Sequence, residues 1–167
     1  MDPSAALSTA AQIAVAIAGF AGVVVVFRTE SVHEWGEVEK FWLRLLLANS
    51  ILPLAFSMVG LLFLSIAPLA AVTWRWCSGF AALFLFPYAA VILRKLVRFA
   101  RGQLQAAGGN SVIGFALYGL LCTVALLQLY NLVHPAFWRF FGAIVALLLG
   151  AMYQFVRLVL IPQDGGK

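Results

Sequence analysis

The sequence is poor in charged residues. Asp, Glu, Lys and Arg make up 10% of its 167 residues, whereas 64% of the residues are hydrophobic. Ordinary globular domains carry about 25% charged residues. A water-soluble fold of this length could not cover so much apolar side chain with so few ionised groups. Lipid is a solvent in which an apolar surface is stable, so the composition indicates one integral membrane domain.

Acidic residues are the scarcest charged class. The chain has six, and none lies inside a long apolar run. Proton- and cation-coupled carriers usually hold an ionisable group near the membrane midplane, so this absence argues against a proton pump or a sodium symporter. No nucleophile and base lie at a shared depth in the membrane, so an enzyme is less favoured than the other classes of protein. We predict a non-enzymatic protein without a cofactor.

No strong metal motif is present either. His33, Glu34 and Glu37 occupy neighbouring positions of one predicted helical segment, where they could chelate a divalent ion. Two ligands of the His/Glu type without a third partner make a weak metal pattern, so a solvated acidic face is the favoured interpretation. Two cysteines, Cys77 and Cys122, lie in apolar runs at different depths. No disulfide is expected between them, and both are interpreted as packing residues.

The N-terminal segment lacks the basic residues of a signal peptide. No Lys or Arg precedes the first apolar run, although Ala16-Ile17-Ala18 resembles a cleavage triplet. We therefore interpret the segment as a retained helix, with a cleaved leader as the alternative. The net charge of +5 does not indicate nucleic-acid binding, because the basic residues border apolar runs, where membrane insertion accounts for them.

Five apolar runs are each long enough to cross a bilayer as a helix, which takes about 20 residues. They cover residues 7–27, 41–64, 74–96, 111–133 and 136–160. The two longer polar connections are an acidic one at 28–40, in which Ser31 and Glu34 form a capping box, and a basic one at 94–110. The sequence predicts an all-α integral membrane helical bundle with five transmembrane helices.

The basic residues predict the orientation of this bundle. Nine of the eleven Lys and Arg residues lie on the side opposite the N-terminus, and only Arg75 and Arg139 share the N-terminal side. Cytoplasmic loops carry the excess of positive charge, so we predict that the N-terminus is outside and the C-terminus is in the cytoplasm. The tryptophans lie near the ends of runs, as indole rings prefer: Trp35 and Trp42 inside, and Trp74, Trp76 and Trp138 outside.

Small residues recur every four positions in two runs. They are Ala14, Ala18 and Gly22 in the first run, and Gly142, Ala146 and Gly150 in the fifth. Small side chains let helix backbones approach closely in lipid, so both stripes predict helix packing, within the subunit or between subunits. A first helix that lines a pore is the alternative.

Polar residues that are candidates for a functional role lie in three of the runs. The second run contains Asn49, Ser50 and Ser57, on either side of Pro53. We expect Pro53 to kink this helix and Pro87 to kink the helix of the third run. Near the outer end of the fourth run, Gln128, Asn131 and His134 share a face, and Gln154 continues the small-residue stripe of the fifth. We interpret these side chains as interhelical hydrogen-bonding groups, with a permeation path or a ligand site as the alternative.

Four basic residues extend the third run past the bilayer. Juxtamembrane cations attract anionic lipid by about 1 kcal/mol each, so we predict contact with anionic lipid on the cytoplasmic side. The four residues are Arg94, Lys95, Arg98 and Arg101. The acidic connection lies on the same side of the membrane, and a contact between the two connections is a further hypothesis.

The segment AIAGFAGVVVVFR, followed by an acidic loop with a tryptophan and then by FWLRLLL, resembles small multi-pass proteins of unassigned function in bacterial genomes. The resemblance covers about the first 60 residues. It implies a bacterial inner membrane and brings no activity. Two functions remain open: a helical module that forms homo-oligomers or binds another membrane protein, and a small oligomeric ion channel that tolerates anions.

Overall fold

The computed structural model of the chain describes residues 2–27, 36–66, 70–100 and 111–160. These residues form five helices: α1 (Pro3–Phe27), α2 (Glu37–Ile66), α3 (Ala70–Ala100), α4 (Ser111–Val133) and α5 (Phe137–Leu160). The prediction of an all-helical chain is confirmed, and each helix is long and apolar enough to cross a membrane. The first three helices extend about one turn beyond their apolar runs, because the helix continues into the flanking residues.

Asp2 caps the first helix. Its carboxylate accepts hydrogen bonds from the backbone nitrogens of Ser4 (3.1 Å) and Ala5 (3.3 Å), and from the Ser4 hydroxyl (2.7 Å). These backbone nitrogens have no partner inside the helix, and Pro3 at the first position needs none. The bonds, with the Ser4 side chain contributing most, lower the pKa of the Asp2 carboxyl. The cap explains why α1 begins one turn before the apolar run.

Helices α2, α3, α4 and α5 form a four-helix ring, in which each helix packs on the next and α5 packs back on α2. α1 lies outside this ring and packs on α2 and α5. The two prolines inside helices, Pro53 and Pro87, do not end α2 or α3. Three helices approach one another closely at Gly60 of α2, where an added Cβ would lie 2.8 Å from Leu7 and 3.3 Å from Phe140.

Aromatic side chains fill one half of the bundle. Phe140 is fully buried and lies 6.4 Å from Phe56 and 6.0 Å from Trp74, measured between ring centroids. The Trp74 ring also contacts Phe137 at 4.9 Å. Trp74 is therefore a core residue, whereas Trp76 and Trp138 are exposed as a membrane-interface tryptophan should be. The opposite half of the bundle is less tightly filled and contains a cavity.

Candidate functional site

Eight of the described residues are polar and buried, and five of them form two hydrogen-bonded groups at different depths. The eight residues are Asn49, Ser50, Ser57, Thr73, Ser78, Gln128, Asn131 and Gln154. One group lies in the aromatic half of the bundle, at the turn between α4 and α5. The other lies in the half that contains the basic ends of α3 and α5. Buried polar groups are stable only when they are hydrogen-bonded, so their partners decide how each group is interpreted.

The first group joins α3 and α4 to the turn before α5. The Ser78 hydroxyl donates to Gln128 Oε1 (2.9 Å) and accepts from Asn131 Nδ2 (2.7 Å). Gln128 Nε2 donates to the Arg139 carbonyl (2.9 Å), and Asn131 Oδ1 accepts from the Ala136 backbone nitrogen (2.8 Å). These side chains make their hydrogen bonds to other groups of the protein, which supports the packing interpretation over a ligand site.

His134 does not join this group. Its side chain is exposed, with the ring centroid 4.9 Å from that of Tyr130. Its backbone carbonyl accepts a hydrogen bond from Arg139, whose guanidinium also lies over the rings of Tyr130 and Trp138. The chain turns at His134, so the face that Gln128 and Asn131 share on α4 does not extend to it. Ser78 takes its place in the group, and no local sequence signal pointed to Ser78.

The second group joins α2, α3 and α5 through Asn49. Asn49 Nδ2 donates to Gln154 Oε1 (3.2 Å), and Asn49 Oδ1 accepts from the Tyr88 hydroxyl (2.8 Å). Gly150 makes room for this carboxamide, since a Cβ at that position would lie 3.3 Å from Asn49 Nδ2. Asn49 and Gln154 were candidates from the sequence, whereas Tyr88 was not, because an aromatic residue in an apolar run carries no sign of a polar contact.

The remaining polar residues of α2 do not act with Asn49. The Ser50 hydroxyl donates to the Leu46 carbonyl of its own helix (3.0 Å). Ser57 is fully buried, and its hydroxyl has no hydrogen-bond partner among the described residues. Asn49, Ser50 and Ser57 therefore face the interior of the subunit but have separate environments.

A cavity of about 50 Å³ lies next to the Asn49–Gln154 pair, between α2, α3, α4 and α5. It is several times larger than the roughly 10–15 Å³ that one water molecule needs. Its wall is mostly apolar, with Leu45, Ile92 and Leu121 among the lining residues. Phe41 and Trp42 line its end toward the beginning of α2, and a cation covers each ring. Lys95 Nζ lies 5.6 Å from the Phe41 centroid, and Arg157 Cζ lies 4.3 Å from the Trp42 ring.

The small-residue stripe of α1 is only partly buried. Ala14 is buried, Ala18 is half-buried and Gly22 is exposed, with nothing within 4 Å of an added Cβ. The physical reason is the helical period: residues four apart are displaced by about 40° around the axis, so a stripe of three drifts by about 80°. The buried face of α1 instead includes Leu7, Ala10, Ala14 and Ala21, in which steps of three and seven residues offset the drift.

The stripe of α5 drifts in the same way. Gly142 and Ala146 line a shallow apolar groove that also contains Leu120 of α4, and an added Cβ at Gly142 would meet nothing within 4 Å. Gly150, further along, faces α2 and Asn49. One of these three residues therefore supports close packing inside the subunit, and the other two border a surface groove.

The basic residues of α3 divide between two environments. Arg94 and Arg98 are exposed, whereas Lys95 is half-buried and lies over Phe41. Arg101 lies outside the described residues, as do residues 28–35 of the acidic connection, which include Ser31, His33 and Glu34. The predicted contact between the two connections stays a prediction. In the described part of the chain no three His, Cys, Asp or Glu residues come close enough to hold a metal, and Cys77 and Cys122 are both free.

Five apolar helices of membrane-crossing length, packed around buried amide and hydroxyl groups, define the chain as a multi-pass helical membrane protein. Comparison with known proteins adds no relative: no family model matches the chain, and no curated protein or solved structure matches it.

Proposed function

We propose that the protein is a non-enzymatic helical module of the bacterial inner membrane that self-associates through the outward face of α1. The observation that carries this proposal is the environment of the Gln12 side chain. This side chain is exposed on the surface of α1 and makes no hydrogen bond to any described residue. Gln12 lies about 14 Å along a helix about 37 Å long, so it is well inside the apolar span.

The residues around Gln12 form a face suited to a second helix. At 100° per residue, Ser8, Gln12 and Gly19 lie within about 40° of one another and opposite the buried face that includes Ala10. An added Cβ at Gly19 would meet nothing within 4 Å. This outward face of α1, defined by Ser8, Gln12 and Gly19 and also containing Val15, combines two small residues with a carboxamide, and such residues are found where membrane helices associate.

A carboxamide facing hydrocarbon lacks the water that would satisfy it, which costs several kcal/mol. A second copy with parallel α1 helices brings the same face to its partner, as a two-fold interface requires. Each Gln12 can then donate to the carbonyl oxygen of the other. Two such bonds at about 0.6 kcal/mol each amount to about a sevenfold change in the dimerisation constant.

The test is energy transfer between donor- and acceptor-labelled copies in lipid vesicles, as the lipid-to-protein ratio is raised. We expect the wild-type protein to associate and Gln12→Leu to associate about sevenfold more weakly. Thr123→Ala is the matched control, because the exposed Thr123 hydroxyl donates to its own helix at Gly119 (2.9 Å) and needs no partner. If Gln12→Leu and Thr123→Ala associate as tightly as wild type, the outward face of α1 is not the interface.

We also propose an orientation of the protein in the membrane. The excess of Lys and Arg on one side supports an N-terminus outside and a C-terminus in the cytoplasm. An impermeant thiol reagent added to intact cells should label Trp76→Cys and not Arg98→Cys, in a background without the two native cysteines. Both residues are exposed, so the opposite labelling pattern would reverse the orientation.

Contact with anionic lipid is supported by Arg94 and Arg98, which are both exposed at the end of α3. Replacing both with Gln should reduce the anionic lipid that remains with the protein through purification, as measured by mass spectrometry. Equal retention by the double variant would remove this part of the proposal.

A small oligomeric channel that tolerates anions is the second candidate. A pore on the axis of an oligomer, lined by α2, needs Asn49, Ser50 and Ser57 on the outer surface of the subunit. All three are buried inside the subunit, which favours self-association over such a pore. Anion conductance of the purified wild-type protein in planar bilayers would favour the channel instead.

A further inference from the structure

The cavity beside Asn49 contains hydrogen-bond donors that the protein does not use. Trp42 lines this cavity, and its indole nitrogen is buried without a hydrogen-bond partner among the described residues. Gln154 also lines it and is 3% exposed; its Oε1 accepts from Asn49, but its Nε2 donates to no described residue. Leaving the buried Trp42 N–H without a partner costs about 1–3 kcal/mol. This N–H and the unused Gln154 amide at the same cavity point to a ligand that accepts hydrogen bonds.

Two cations of the described residues lie at the end of the cavity toward the beginning of α2. Arg157 lies against the Trp42 ring and Lys95 lies against the Phe41 ring, so both cations are beside cavity-lining residues. None of the described residues that line the cavity is acidic. Cations beside an apolar wall act through a lower effective dielectric constant than in water, which strengthens their attraction for an anion. Donors and positive charge together select an anion over a neutral molecule or a cation.

The size of the cavity limits which anion fits. A volume of about 50 Å³ accommodates a monatomic anion with one or two waters. A tetrahedral oxyanion presents four oxygens, which is more than Trp42 and Gln154 can satisfy. Asn49 contributes indirectly: its bonds to Gln154 and Tyr88 hold the Gln154 carboxamide in one orientation.

We propose that this cavity is a halide site, occupied by chloride, in which Trp42 Nε1 and Gln154 Nε2 donate to the ion and Arg157 and Lys95 supply the compensating charge. The proposal does not depend on self-association, because every residue it uses lies within one subunit. An occupied site also links α2 to α5 and stabilises the bundle at the end where it is least filled.

The test is the thermal unfolding midpoint of the full-length protein in phosphatidylcholine nanodiscs, in sodium chloride and in sodium gluconate at equal ionic strength. Phosphatidylcholine excludes anionic headgroups from the same cations. A ligand that binds only the folded state raises its stability with concentration, so the midpoint should rise with chloride and not with gluconate. Bromide should replace chloride.

Two variants test whether the effect of chloride on the unfolding midpoint arises at this cavity. Trp42→Phe keeps the ring but removes the donor, and a lost bond to an ion should weaken chloride binding about tenfold or more. Gln154→Glu keeps the shape but adds a like charge, so it should abolish the chloride dependence. Trp76→Phe, at an exposed tryptophan away from the cavity, is the matched control and should retain it.

Broadening of the chloride-35 NMR line on adding protein is a second measurement that does not require unfolding. Equal midpoints of the wild type in chloride and gluconate, together with no broadening, would overturn the site. So would broadening that Trp42→Phe and Gln154→Glu leave at the wild-type level, since chloride would then bind elsewhere.

Discussion

Replacing Asn131 with Leu tests whether the polar group at the α4–α5 turn stabilises the fold. Asn131 is fully buried and makes three hydrogen bonds: to the Ser78 hydroxyl (2.7 Å), to the Ala136 carbonyl (3.2 Å) and from the Ala136 nitrogen (2.8 Å). Leu is branched at Cγ like Asn but is larger, so the substitution removes these bonds, leaves no void and adds some crowding. The Ser78 hydroxyl keeps its bond to Gln128, but the Ala136 nitrogen has no replacement partner.

The magnitude follows from these contacts. The two bonds that Asn131 donates are worth about 0.6 kcal/mol each inside a membrane protein. The orphaned Ala136 N–H adds about 1–3 kcal/mol. We therefore expect Asn131→Leu to lower the free energy of unfolding by about 3 kcal/mol, measured by titration with sodium dodecyl sulfate in mixed micelles.

The matched control is His134→Ala. His134 contributes its backbone to the turn while its side chain is exposed, so its replacement should change the free energy of unfolding by less than about 0.5 kcal/mol. A loss below 0.5 kcal/mol for Asn131→Leu would refute the structural interpretation. A larger loss for His134→Ala than for Asn131→Leu would show that the face predicted from the sequence, rather than the turn, organises this end of α4.

Two further predictions concern the packing and capping of helices. Gly60→Ala should lower the free energy of unfolding by about 1–3 kcal/mol in the same titration, because the added Cβ would lie 2.8 Å from Leu7; Gly119→Ala, with nothing within 4 Å, should not. The Asp2 cap should stabilise the first turn above the ordinary carboxyl pKa and be lost as the pH falls through the lowered pKa of Asp2. Hydrogen exchange of the Ser4 amide should show this pH step, beyond its intrinsic pH dependence, in the wild type and not in Asp2→Ala; equal protection in both proteins would contradict the capping role.

The helices were predictable from the sequence because length and apolarity decide whether a segment can cross a bilayer. Residues 111–133 were predicted to be a span and are the helix α4. The faces that pack could not be predicted in the same way. Lipid and the protein interior are both apolar. An alanine that faces a neighbouring helix and an alanine that faces lipid therefore give the same pattern in the sequence. Ala14 and Gly22 belong to one sequence stripe, yet only Ala14 is buried.

The polar candidates were partly predictable. Asn49, Gln128, Asn131 and Gln154 are conspicuous in apolar runs, and all four are buried. Their partners were not predictable, because Ser78 and Tyr88 come from a helix distant in the sequence and resemble ordinary span residues. Hydrogen bonds formed across the bundle depend on how the helices rotate about their axes, and no local pattern of one helix specifies that rotation.

The position of a polar residue on a transmembrane helix indicates how that helix is rotated about its axis, whereas the position of an apolar residue does not. A carboxamide in hydrocarbon needs a partner, so its position on the helix shows where a partner must be. Asn131 and Asn49 have theirs within the subunit, which places their faces in the interior. Gln12 lies on the opposite side of α1 from the packed face and has no partner among the described residues. The proposed self-association rests on the same argument: a second copy would supply an identical carboxamide at the same depth.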